Sequence, residues 1–150
     1  MRKKPKQLLV IVLFFTMPSV FGQSDPSEKI TDSFFKTYKQ SPTKAYTDLF
    51  ENNKWMNDKR SDVETVKIKL DDFLRGLGEY FGYELITEKS AGESYLLKSY
   101  LIKYERQPLR FTFLLYRPND KWQLQNFSYD TNIEEELGEA AKAYRLKNNW

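Results

Sequence analysis

The sequence predicts an α+β fold, with N-terminal helices packed on a four-stranded antiparallel sheet and a C-terminal helix. Three observations lead there. Apolar residues recur at three- and four-residue spacing as far as Leu77. From Glu79 the pattern gives way to aromatic, Leu, Ile and Thr residues, and residues 79–131 hold 12 of the 24 aromatics. Aromatic and β-branched enrichment between turn clusters reads as strands. The connections in this half are too short for crossovers, so neighbouring strands must run antiparallel.

Residues 1–22 read as an export leader. Met1-Arg2-Lys3-Lys4-Pro5-Lys6 is basic, Leu8 to Phe15 is almost wholly apolar, and Val20-Phe21-Gly22 puts small or modest residues before Gln23. That order is a secretory signal. A spanning helix needs about 20 apolar residues, and Pro18, Ser19 and Gly22 interrupt the run well short of that. The expected product starts at Gln23, lies in the periplasm or is secreted, and keeps no stable membrane anchor.

Removing the leader changes the charge. It holds four of the 24 Lys and Arg and none of the 21 Asp and Glu, so the remainder is negative by one. The basic balance of the whole chain therefore gives no support to nucleic-acid binding. Cys and His are both absent. That excludes thiol nucleophiles, Ser-His-Asp triads, His bases and His or Cys metal sites. No cofactor is called for. About 128 residues remain after the leader, enough for one domain with its own core.

Asp25-Pro26-Ser27-Glu28 is a helix start, with Asp25 as cap and Pro26 at the first helical position. Ile30, Phe34, Phe35 and Tyr38 form its apolar stripe. Ser41-Pro42 starts a second helix with Ala45, Tyr46, Leu49 and Phe50 inward, and Asn52, Asn53 and Asn57-Asp58 mark a loop around Trp55. Ser61-Asp62-Val63-Glu64 is a capping box for a third helix. Its stripe is Val63, Val66, Leu70, Phe73, Leu74 and Leu77, with Gly78 as stop.

Strands are predicted near 79–89, 94–105, 109–117 and 121–130, with turns at Ser90-Ala91-Gly92, Arg106-Gln107-Pro108 and Pro118-Asn119-Asp120. Asn132-Ile133-Glu134-Glu135 starts the last helix, with Ile133, Leu137, Ala141 and Tyr144 on one face. In the last strand Trp122 and Leu124 fall on one face and Phe127 and Tyr129 on the other. A sheet with one wet face would alternate more cleanly. Either a bulge near Gln125 switches the register, or the second face is also covered, by the C-terminal helix or by a second subunit in a homodimer.

Other motifs read as structure. Gly76-Leu77-Gly78 with Gly82 lacks the spacing and the preceding strand of a dinucleotide loop. Asp71-Asp72 and Glu134-Glu135-Glu136 are solvated helix faces. Asn126-Phe127-Ser128, a glycosylation triplet by pattern, lies inside a strand and gets no role. The candidate ligand-binding residues are Tyr100, Tyr104, Arg110, Trp122 and Tyr129. Aromatics there would supply contact area at a cavity mouth, and Arg110 would hold an anionic group of a small aromatic or anionic ligand. No catalytic residue is assigned.

The stretch Tyr104-Glu105-Arg106, Pro108 to Phe113 and Tyr116-Arg117-Pro118-Asn119-Asp120-Lys121-Trp122 through Asp130 resembles uncharacterised exported bacterial proteins of the nuclear-transport-factor-2-like, or cystatin-like, α+β roll. With the helix ending at Gly78, the resemblance covers about residues 27–131 of an expected domain at 23–131. The helix and tail of 132–150 extend past it. It implies a curved sheet wrapped on helices, often with a cavity and often dimeric. Some enzymes of this fold are dehydratases or isomerases that use His, Asp and Tyr. With no His here, none of their catalytic patterns transfers. Three roles stay open: a non-catalytic binding or interaction module, a dehydratase or isomerase working through a carboxylate and a tyrosine, and an accessory subunit of an envelope complex.

Overall fold

The computed structural model describes residues 26–148, so the leader and the Asp25 cap lie outside the described residues. The order is α1 (Glu28–Tyr38), α2 (Pro42–Glu51), a 3-10 helix (Lys54–Lys59), α3 (Arg60–Arg75), β1 (Tyr80–Ala91), β2 (Tyr95–Tyr104), β3 (Leu109–Tyr116), β4 (Gln123–Asp130) and α4 (Ile133–Asn148). The four strands form one open antiparallel sheet in sequential order. This is the α+β arrangement the periodicity predicts.

The core lies between α1, α2 and the inner face of the sheet. Phe34 meets Phe113 edge-on at 5.1 Å and Phe111 at 6.0 Å, and Tyr46 lies 5.7 Å from Phe127. Alternation sends Leu109, Phe111, Phe113 and Leu115 inward from β3, and all four are fully buried. The partner face of β2 carries Leu96, Tyr100 and Ile102, but also Lys98, only 3 % exposed. An amine buried that far needs a counter-charge. Glu88, its register partner on β1, supplies one at 3.1 Å.

Local signals hold where the chain has no competing partner and fail where it does. Ser41 caps α2 by accepting from the Lys44 N–H, with Pro42 at the first turn. The box at Ser61 is not used, because 3-10 turns run straight into α3 and the helix already starts at Arg60. The expected loop around Trp55 is that 3-10 helix. It is capped by buried Asn53, which accepts from the Trp55 N–H at 3.0 Å and donates to the Leu124 carbonyl at 2.7 Å. β1 runs to Ala91, beyond its expected end, because Ala91 still pairs with Tyr95. The first turn is therefore Gly92-Glu93-Ser94, with Gly92 at φ 65°.

A bulge sits in β4 where the alternation fails. Leu114 pairs with Asn126 and Leu115 with Leu124, which leaves Gln125 as the extra residue. The bulge turns both Leu124 and Phe127 into the core. The C-terminal helix does not cover the outer face. Ile133 is half-buried, the remaining α4 side chains described are exposed, and Leu137 is 65 % exposed. Of the α4 stripe read from the sequence, Ile133 is half-buried and Leu137, Ala141 and Tyr144 are exposed. Arg110, Thr112, Leu114, Leu97 and Leu101 are half-buried on that face.

Candidate functional site

A cleft of about 400 Å³ opens where the C-terminal ends of α1 and α3 meet the ends of β1 and β2. Each wall has a local origin. Tyr38 is the last residue of α1 and of its buried stripe, and it borders the cleft while staying almost wholly buried. Thr43 comes from the first turn of α2, and Asp71 and Leu74 from the last turns of α3. Tyr80 opens β1 and Tyr104 ends β2, and the two are register partners with rings 5.6 Å apart.

Gly78 makes the turn from α3 into β1 possible. Its φ of 79° lies in the left-handed region, and an added Cβ would fall within 3.0 Å of the Glu105 Cβ. The Glu105 carboxylate accepts from the Glu79 N–H, and Arg106 donates to the Gly76 carbonyl at 2.8 Å. The α3–β1 turn is thus held against the β2–β3 turn, directly beside the cleft.

The cleft chemistry is phenolic. The hydroxyls of Tyr38 and Tyr104 share a short hydrogen bond. Burial pushes the Tyr38 phenol far above its ordinary range, and the nearby phenols of Tyr46 and Tyr104 add to the shift. Burial also raises Tyr46, with Tyr104, Asp71 and Tyr129 contributing, and raises Tyr80 to about 12. Tyr104 is raised by burial while its bond with Tyr38 works the other way. All four phenols are neutral at neutral pH, and Tyr46, which does not line the cleft, has its hydroxyl buried with no hydrogen-bond partner among the described residues. Asp71 is half-buried and accepts from the Thr43 hydroxyl at 2.9 Å. Lys39 and Arg75 stand at the rim, where Arg75 also pairs with Asp72 at 3.6 Å.

The five residues read from the sequence do not converge. Tyr104 alone of them lines this cleft. Tyr100 is 6 % exposed and packs on Phe35 and Phe113 in the core. Arg110 is on the outer face, forked onto Asp130 and joined to Glu136. Trp122 precedes β4 and lies under the Arg117 guanidinium, 5.1 Å from it. Tyr129 is half-buried near Phe73, at 6.3 Å. Four of the five are accounted for by packing or ion pairing.

Tyr38, Tyr80, Thr43 and Asp71 were missed. The first reads as core and Asp71 as a solvated face. Their one signal in the sequence is position: a hydroxyl or carboxylate within the last turns of an apolar stripe stands at the core boundary. Other concavities among the described residues include one of about 260 Å³ between α2 and α3 around Phe50 and Val63, and one of about 530 Å³ along β1 around Phe81 and Tyr83. The second shares Tyr80 and Lys39 with the cleft and adds Tyr83, but neither brings three phenols together.

Among the described residues, no group of three or more acidic side chains is placed to hold a metal ion. No described helix is long and apolar enough to cross a membrane. Comparisons with protein-family models, curated proteins and solved structures find nothing that matches this chain.

Proposed function

We propose that this chain is an exported, non-catalytic binding module of the nuclear-transport-factor-2-like type, and that it takes a small aromatic anion in the tyrosine cleft. One observation carries the reading: Tyr38, Tyr80 and Tyr104 converge on a cleft of about 400 Å³ whose rim carries Lys39 and Arg75. Rings give a flat ligand contact area, phenol hydroxyls give it directional bonds, and the rim cations favour a carboxylate or similar group. The leader supports export to the periplasm or beyond. The carboxylate nearest the phenols, Asp71, is occupied by Thr43. That favours a positioning role over proton abstraction and weighs against the dehydratase or isomerase reading.

The test is titration with 4-hydroxybenzoate and with uncharged phenol, followed by tyrosine fluorescence and by NMR of the aromatic region. Saturable binding of 4-hydroxybenzoate, weaker binding of phenol, and loss of both in Tyr104→Ala support the site. Binding that Tyr104→Ala leaves unchanged, or no binding at solubility-limited concentration, overturns it.

A further inference from the structure

β1 is an outer strand of the sheet, and its side chains are unusually apolar for an edge. Phe81 is 58 % exposed, Leu85 53 % and Ile86 48 %. A long apolar edge is a template for another strand. The question is which strand it accepts.

The register of β1 supplies an answer. Pairing with β2 shifts between Leu85 and Thr87, which makes Ile86 a bulge residue. Glu84 lies opposite Leu101 and Lys89 opposite Leu97. These two β2 positions share a face, so Glu84 and Lys89 share one as well, although their odd spacing would separate them in a regular strand. Counted past the bulge, the strand reads Glu84, Leu85, Thr87, Glu88, Lys89, with Thr87 midway between opposite charges.

We propose that two copies of this chain pair β1 to β1, antiparallel, about a two-fold axis through Thr87, and so form one continuous sheet. Glu84 then faces Lys89 of the second copy, and Lys89 faces its Glu84. Tyr83 faces Ser90, and Thr87 meets its own counterpart, a favourable cross-strand pair. Two-fold registers centred on Glu84, Glu88 or Lys89 place like charges directly opposite, which is destabilising. The register centred on Leu85 sets Glu84 against Thr87 and Lys89 against Gly82, with no ion pair. The Thr87 axis alone satisfies both charges. Within its own chain Glu84 already accepts from Lys103 at 2.7 Å, so pairing extends a Lys–Glu–Lys row across the junction. An isologous contact of this kind closes at two subunits and leaves no further β1 edge. It does not depend on the ligand proposed for the tyrosine cleft.

The chain has no cysteine, so single introduced thiols report the geometry directly. Under mild oxidation Thr87→Cys should cross-link as a dimer, whereas Ser128→Cys on the far edge strand should stay monomeric. Glu84→Cys and Lys89→Cys should cross-link when mixed and not when alone. In sedimentation equilibrium at low salt, Glu84→Lys and Lys89→Glu should each weaken the dimer by roughly tenfold, and the double variant should recover it. Circular dichroism confirms that each variant is folded. A chain that sediments as a monomer at every concentration overturns the proposal and leaves the edge to a strand from another protein. A dimer that cross-links through Ser128→Cys and not Thr87→Cys, or a double variant no better than the singles, overturns it equally.

Discussion

Phe35 of α1 and Tyr83 of β1 stack face to face, with ring centroids 3.7 Å apart and planes 10° from parallel. This contact ties the first helix to the outermost strand. Phe35 is 2 % exposed and Tyr83 40 %, so the two rings are unequal partners. Phe35→Ala should cost about 3–5 kcal/mol, as other buried Phe truncations do. Tyr83→Ala should cost about 1–2 kcal/mol, in keeping with its partial burial. A double-mutant cycle in urea should return a coupling of about 0.5–1.5 kcal/mol between them. Purely additive costs would show that stacking contributes nothing beyond buried area.

The buried phenols predict alkaline unfolding. An unfolded tyrosine ionises near 10.0, and burial raises Tyr80 to about 12 and Tyr38 and Tyr46 further still. Above the unfolded value the unfolded chain binds fewer protons than the folded one, so stability falls as pH rises. The contribution is complete below pH 10 and is lost progressively above it. Absorbance at the phenolate band should show exposed tyrosines titrating first and the remainder appearing only with a cooperative loss of ellipticity. A smooth single titration with the fold intact would contradict this.

The hydrogen bond between Tyr38 and Tyr104 joins α1 to the end of β2. Tyr104→Phe removes one hydroxyl and deprives the buried Tyr38 hydroxyl of that partner. The expected loss is about 1–2 kcal/mol, read from the urea midpoint at unchanged slope. A neutral effect would mean that the Tyr38 hydroxyl finds an equivalent partner at the cleft.

Arg110 anchors the start of α4. Its guanidinium is held well above its ordinary range by the hydrogen bonds it donates to Glu136 and Asp130, and accepting from Arg110 holds the Glu136 carboxyl below its ordinary value. The stabilisation from Glu136 is therefore present above the unfolded carboxyl pKa and is lost as pH falls through the folded value. Relative to the intrinsic rate, amide exchange in α4 should quicken as pH falls below the unfolded carboxyl value of 4.5, and also on adding salt, because Glu136 is exposed. Arg110→Gln should reproduce the fast exchange at neutral pH. Exchange in α4 that ignores both pH and Arg110 would show that the helix is held some other way.

Gly78 and Gly92 both take positive φ, at 79° and 65°, but in different surroundings. A Cβ on Gly92 meets nothing within 4 Å, whereas one on Gly78 collides with Glu105. Gly92→Ala should cost about 1 kcal/mol, the left-handed penalty alone. Gly78→Ala should cost about 2–3 kcal/mol, since Glu105 must also move and release the Glu79 N–H. Equal losses would mean that Glu105 yields freely.

The sequence by itself determined the element types and their order. Stripes at Ile30–Tyr38 and Val63–Leu77 and the aromatic half from Tyr80 are local patterns, and local patterns follow from burial of one face. It also showed the broken alternation of the last strand, for which a bulge near Gln125 was one of two readings, and the register of β3 with β4 decides for the bulge. The site was only partly legible. Tyr104 lines the cleft, while Tyr100, Arg110, Trp122 and Tyr129 are drawn into core packing, an ion-pair cluster and a cation–π contact. An aromatic looks the same in sequence whether its ring is core or its hydroxyl lines a cavity. Only the tertiary structure decided that Tyr38, Tyr80, Thr43 and Asp71 meet at one cleft, because they come from four elements whose proximity depends on how the helices dock. It also decided that α4, amphipathic by pattern, leaves the outer face open. A stripe specifies a face to bury, yet Leu137 and Tyr144 of that stripe remain exposed.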